Sequence, residues 1–234
     1  PSKEIRVEAM RDAVEFAQRT SGRGRGKAVL VYPAERMNHV TANALLKTLE
    51  EPPGEVKFVL ASEAAHQLLP TIRSRCLGHT MVWPDAAAAL GWLVSQGVRS
   101  EDAPVWLQAA GGRPQDALRF AQSGRNPAAW SQLPRAMARG DSAALADLTP
   151  PQAIDALQKL CHDLLARAVG AAPRFFEAGD LPAGGAPVSP VALTALTAWS
   201  RALRQAARTA EHPFNAGLML ESLASQAHRV LRLP

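Results

Sequence analysis

Aromatic side chains make up only 5% of the 234 residues, with a single tyrosine among them. Twelve rings spread so thinly offer no row of stacking surfaces of the kind that binds single-stranded nucleic acid. Cysteine is scarcer still. Cys76 and Cys161 are the only two, which excludes a four-cysteine zinc site or a disulfide framework and predicts reduced thiols. Apolar runs all fall far short of the ~20 residues of a membrane helix. The polar start, Pro1-Ser2-Lys3-Glu4, has no apolar export core, so a cytoplasmic location is expected. It also has no initiator methionine and runs at once into a helical pattern, which predicts a piece of a longer protein.

What is present suffices for a packed core: 47% of residues are hydrophobic and 20% charged, outside the range of a disordered chain. The 26 basic and 21 acidic residues leave a net charge of +5. No basic tail or block concentrates it, so the charge permits a nucleic-acid partner without specifying one.

Apolar spacing predicts a helix over residues 5–19, then a break at Ser21-Gly22-Arg23-Gly24-Arg25-Gly26. Ala28 to Tyr32, ended by Pro33, reads as a fully buried strand, and Val56 to Ala61 as a second. Between them Asn38 is a good N-cap for a helix that places Ala42, Leu45, Leu46 and Leu49 on one face, and Pro52-Pro53-Gly54 stops it. A short helical stretch around Leu68 to Arg73 and a third strand over Leu77 to Trp83 complete the pattern of a parallel sheet with crossover helices. After Pro84 only helical patterns remain: 85–97, 101–110, 114–122, 127–138, 141–148, 150–170, 190–210 and 214–232, with a Gly/Pro-rich loop from Pro173 to Pro190.

Most candidate chemistry fails on spacing. The loop from Ser21 to Lys27 lacks the phosphate-loop spacing, precedes a strand, and has Ala28 where a hydroxyl is needed, so it reads as a basic surface loop. The six histidines show no metal-ligand spacing, and no nucleophile has an attached base. Glu50-Glu51 ends a helix beside two prolines and reads as a solvated turn. One segment is far more specific: Asn43 to Pro53, then Phe58-Val59-Leu60-Ala61-Ser62, then Leu69-Pro70-Thr71-Ile72-Arg73-Ser74-Arg75-Cys76. It combines a helix, a double-proline stop, a buried strand ending in a hydroxyl, and a tight basic turn. Open α/β sheets bind ligands outside the carboxyl ends of their strands, and two guanidiniums there suit phosphate.

The run from Asn43 to Pro53 and the triplet Ser74-Arg75-Cys76 resemble the bacterial clamp-loader AAA+ family of DNA polymerase III. Weaker agreement continues through Gly112 to Leu118 and from His212-Pro213-Phe214-Asn215 to Glu221. The resemblance implies an α/β plus all-α chain: the C-terminal portion of an AAA+ nucleotide-binding domain (1–84), a three-helix lid (85–124) and a helical collar (125–234). It further implies a five-membered ring with gamma/tau and delta subunits, acting on a sliding clamp and primer-template DNA.

Hydrolysing members of that family follow the first strand with an Asp-Glu pair that holds Mg²⁺ and polarises water. The matching positions here are Pro33 and Ala34, neither able to bind a hard cation, and Glu35 stands one place too far along. The lid's sensor arginine is replaced by Gln115, and Ser62 keeps a sensor position that has no competent site to serve. Both losses match the family's non-hydrolysing member. Arg75 remains. The resemblance gives it the role of an arginine finger reaching a neighbour's ATP, with Arg73 a second, structural or anion-facing candidate and Cys76 a small apolar residue. The expectation is a stator with no catalytic activity or cofactor of its own, serving the ATP and Mg²⁺ of a neighbouring subunit. Zinc would belong only to a segment upstream of Pro1. Leu157, Leu160, Leu164 and Leu165, or Leu193, Leu196 and Leu203, would pack the collar, with some of them reaching an interface. The alternatives are an ATP-hydrolysing gamma/tau-type subunit and a stand-alone basic helical nucleic-acid-binding protein.

Overall fold

The computed structural model describes residues 4–22, 24, 26–182, 189–210 and 215–232. The basic-loop residues Arg23 and Arg25, the motif residues His212, Pro213 and Phe214, and part of the loop from Pro173 to Pro190 lie outside them. The chain divides into two compact units, residues 1–81 and 82–234.

In the first unit, α1 (Val7–Gln18) buries Met10 and Ala17, two turns apart on one face. Its last carbonyls, those of Phe16, Ala17 and Arg19, accept from the Lys27 ammonium, a cation where the helix dipole favours one. Strands β1 (Lys27–Val31) and β2 (Val56–Leu60) pair in parallel with Val29 opposite Phe58. The connection between them is α2 (His39–Glu50), as parallel pairing requires. Asn38 caps it, its side chain accepting from the Thr41 amide at 2.9 Å.

Two expectations fail here. The strands are not fully buried: Val29 and Val31 are, whereas Leu30 and Val59 face outward. Only one face of the sheet carries a core, built from Met10, Ala17, Val29, Val31, Ala34, Leu45 and Val56. Nor does Leu77–Trp83 form a strand, although its residues suit one. Among the described residues the sheet has two strands, and this segment has no ladder partner, leaving Leu77 99% exposed. Strand propensity without a partner edge does not make a strand. A short helix, α3 (Pro70–Arg73), precedes that segment and buries Ile72.

The second unit is helical: α4 (Ala86–Ser95), α5 (Ala103–Ala109), α6 (Pro114–Gln122), α7 (Pro127–Arg139), α8 (Pro150–Ala168), α9 (Pro190–Thr209) and α10 (Ala216–Leu231). Residues 141–148 hold only a short 3₁₀ turn at Ser142–Leu145, anchored by fully buried Leu145. One continuous hydrophobic cluster runs from Ala89 and Leu93 through Trp130 and Leu157 to Leu223 and Ala227. Leu157, Leu160, Leu164, Leu196 and Leu203 all belong to it, while Leu193 points partly to solvent.

Sparse aromatics are concentrated in this unit. Trp106, Phe120, Trp130 and Phe176 form a column with successive centroids 6.1, 6.1 and 4.6 Å apart. The Lys159 ammonium lies 4.4 Å from the Phe120 centroid and 2.8 Å from an Asp155 carboxylate oxygen. Its burial pushes its pKa down, partly offset by Asp155. Asp163, fully buried on α8, accepts from the amides of Arg174, Phe175 and Phe176 at 2.9, 2.7 and 2.8 Å. Arg174 in turn donates to the Gly111 carbonyl at 3.0 Å. Gly111 has φ +62°, and a Cβ there would stand 2.7 Å from the Phe175 ring.

Both cysteines are free thiols. Cys161 is buried, donates to the Leu196 carbonyl at 3.4 Å, and burial pushes its pKa up to about 12. The folded state therefore keeps a proton that the unfolded thiol, with its ordinary pKa of 9.0, gives up. Stability is expected to fall as pH rises from 9 toward 12. Lys159 works in the opposite sense below its ordinary pKa of 10.5, because its depressed pKa makes the unfolded state the better proton binder there. Urea titrations at pH 8 and pH 10.5 on the native chain and on Cys161→Ala separate the two. The difference in slope between them belongs to the thiol.

Candidate functional site at the strand ends

The carboxyl ends of β1 and β2 lie side by side, held by the Ala34 amide donating to the Ala61 carbonyl at 2.8 Å. Pro33 caps a 3₁₀ turn, Ala34–Arg36, and Ala34 is fully buried. Neither a proline ring nor a buried methyl offers an oxygen ligand to a hard cation. Ser62 follows β2, and its hydroxyl accepts from the Ala64 amide at 3.1 Å.

Glu35 is brought closer to this corner than spacing alone indicates. A hydrogen bond from Ser62 is the main cause that holds its carboxyl below the usual range, with the backbone amides of Glu35 and Glu63 and the charge of Arg36 adding to it. Beside it the Tyr32 hydroxyl donates to Glu63 at 2.9 Å. Among the described residues no group of three or more His, Cys, Asp or Glu is placed to hold a metal ion. Nor is any helix among them long and apolar enough to cross a membrane.

Arg75 lies two residues beyond α3, against the C-terminal end of α2, in a backbone that closes through Arg75 N to Ile72 O at 3.1 Å. Its guanidinium is held on two sides. Nε donates to Glu50 Oε1 at 2.6 Å and Nη2 donates to the same oxygen, while Nη1 donates to the Thr71 carbonyl at 2.8 Å. The pair is partly open to solvent, with side-chain exposures of 31% for Arg75 and 48% for Glu50. Glu50 is the residue that sequence reasoning passed over. The double-proline stop shows where α2 ends but not which side chain its last residue meets, so no local signal named the partner. Arg73 is exposed, and Cys76 is half-buried with its pKa raised by desolvation.

In the second unit Gln115 is exposed in the first turn of α6, just after the turn at Gly111 and Gly112. Asp116, next to it, pairs with Arg113 at 2.6 Å and with Arg119 at 3.2 Å. Asn215 caps α10, accepting from the Leu218 amide at 3.2 Å.

With this geometry in hand, the chain can be set beside the subunits of bacterial DNA polymerase III that it resembles. The crystal structure of a DNA polymerase III gamma subunit-related protein from Thermotoga maritima has the same fold. It superposes with a TM-score of 0.51 at 19% identity, covering 99% of this chain and 81% of that one. Residues 1–81 match the model of the family described as DNA polymerase III, delta subunit. The chain is a homologue of the bacterial DNA polymerase III delta' subunits. That of Pseudomonas aeruginosa is 45% identical over 121 residues, half of this chain and 37% of the relative. That of Escherichia coli K12 is 38% identical over 175 residues, 71% of this chain and 52% of the relative. The tau subunit of E. coli is 46% identical over a shorter stretch of 72 residues. The chain thus spans about half or less of the length of the delta' subunits it matches.

Proposed function

We propose that this chain is part of a clamp-loader subunit of the delta' type, a stator that hydrolyses no ATP and completes a neighbour's ATP site. The single observation behind this reading is an asymmetry between the carboxyl end of β1 and the C-terminal end of α2. Pro33 and Ala34 occupy the cation-binding positions, while Arg75 is retained and held in place. A site without an acidic pair cannot bind Mg²⁺ in the manner of an ATPase. An always-charged planar fork, held at the C-terminal end of α2, suits a phosphoryl group supplied from outside.

In this reading residues 1–84 are the rear of an AAA+ domain, 85–124 the lid and 125–234 the collar that joins the ring. Gamma/tau and delta subunits are the direct partners, and the clamp and primer-template DNA are reached through the assembly. Gln115 in the lid and Ser62 at the strand end are remnants of a nucleotide site. The cofactors of the reaction, ATP and Mg²⁺, belong to the neighbour.

Glu35 beside Ser62 is the observation that favours the rival, an ATP-hydrolysing gamma/tau-type subunit. The full-length protein, purified alone and assayed with Mg-ATP and primed DNA, separates the two. The stator reading expects background turnover from the lone subunit and restored clamp loading when it joins gamma and delta subunits. DNA-stimulated turnover by the lone subunit that Glu35→Gln abolishes would establish the rival.

A further inference from the structure

The Arg75 guanidinium has five N–H groups, and its contacts divide them unequally. One carboxylate oxygen of Glu50 takes both Nε and Nη2, the side edge of the fork. The Thr71 carbonyl takes Nη1 at 2.8 Å, with the Ser74 hydroxyl at 3.4 Å beyond it. Two of the three edges are thereby fixed by α2 and α3, and the remaining N–H on Nη2 is left for a group that the described residues do not supply. A long, flexible side chain is reduced to one orientation before any phosphate arrives.

Glu50 stands where local physics disfavours it. It is the last residue of α2, followed by Glu51, and a carboxylate at a helix C-terminus faces the negative end of the dipole. An exposed ion pair contributes about 0–1 kcal/mol, so stability alone gives little reason for the acid to be there. Its contacts are directed instead at one side chain, 25 residues away in sequence.

We propose that Glu50 is the positioning residue for Arg75. It holds the side edge of the guanidinium so that the free edge is presented to the neighbouring subunit's phosphates. This inference rests on the reading of Arg75 as a residue that acts in trans, and the experiment distinguishes the two.

The assay is ATP turnover by the reconstituted clamp-loader ring, with the ATP sites that do not face this subunit silenced. Glu50→Ala is expected to lower kcat about tenfold, short of the roughly 10²-fold that a misplacement of about 1 Å can cost, with KM for ATP unchanged. Glu50→Gln keeps an acceptor oxygen and is expected to stay within about twofold of the native rate, since the geometry is what it preserves. In an Arg75→Ala background, Glu50→Ala is expected to cause no further loss. Thermal melting and co-elution of each variant with the ring check that the subunit is folded and assembled. If Arg75→Ala is impaired while Glu50→Ala turns over at the native rate or faster, the positioning role is wrong and the trans role stands. A further loss from Glu50→Ala in the Arg75→Ala background also overturns the positioning role. If Arg75→Ala itself retains the native rate, the reading beneath both is wrong.

Discussion

Asp163→Ala is expected to be the most destabilising single change in the second unit. The native carboxylate is fully buried, and its two oxygens receive three successive backbone amides, those of Arg174, Phe175 and Phe176. Truncation leaves three donors without a partner, two of them part-buried and that of Phe176 buried. Each unpaired buried donor costs about 1–3 kcal/mol, so a total of about 3–5 kcal/mol is expected against the 5–15 kcal/mol of a typical domain. The damage should also spread. Phe176 stacks 4.6 Å from Trp130, and the amides at 174–176 set where that ring sits. Asp163→Asn keeps one acceptor but turns an NH₂ group toward an amide donor, so it should cost somewhat less than Asp163→Ala. Urea denaturation measures the loss, and hydrogen exchange at Arg174 to Phe176 localises it. Native protection of those three amides in Asp163→Ala would show that other acceptors hold the segment.

The second large effect concerns catalysis rather than folding. In the proposed trans role, Arg75→Ala is expected to lower turnover at the neighbour's site by about 10²–10³-fold, at or below the range for arginine fingers supplied to GTPases in trans. A fixed cation acts where charge develops on the transferred phosphoryl group, so kcat falls while KM for ATP changes little. Arg75→Lys should recover only part of the rate, because an ammonium lacks the fork that Glu50 and Thr71 orient. Single-turnover measurements on the ring, with the other sites silenced, provide the check. An unchanged rate in an intact ring would remove Arg75 from the reaction.

Much of this was legible in the residue order, and the failures have physical causes. Asn38, Pro52 and Pro53 mark the ends of α2 because capping and helix-breaking are local effects. The parallel pairing of β1 and β2 was legible because a helix stands between two apolar runs. Leu77–Trp83 misled because strand formation depends on a partner edge, which no local pattern reports. The exposure of Leu30 and Val59 misled likewise, since burial of a sheet face depends on what packs over it. At the site, the turn that Pro33 begins and the tight turn that carries Arg75 could be read from the residue order. Glu50 could not, because its partner is 25 residues away and a helix end had to be oriented first. Asp163 was hidden for a similar reason, since backbone amides donate to it and those leave no trace in side-chain identity.

The single hydrophobic cluster of residues 82–234 has a mechanical consequence. Its helices from α4 to α10 share Trp106, Trp130, Leu157 and Leu203 in one interior rather than two. Swinging α4–α6 away from α8–α10 would bring those side chains into water, at roughly 25 cal/mol for each Å² uncovered. Opening a gap between residues 85–124 and the helices behind them therefore costs more the more of that shared interior it uncovers.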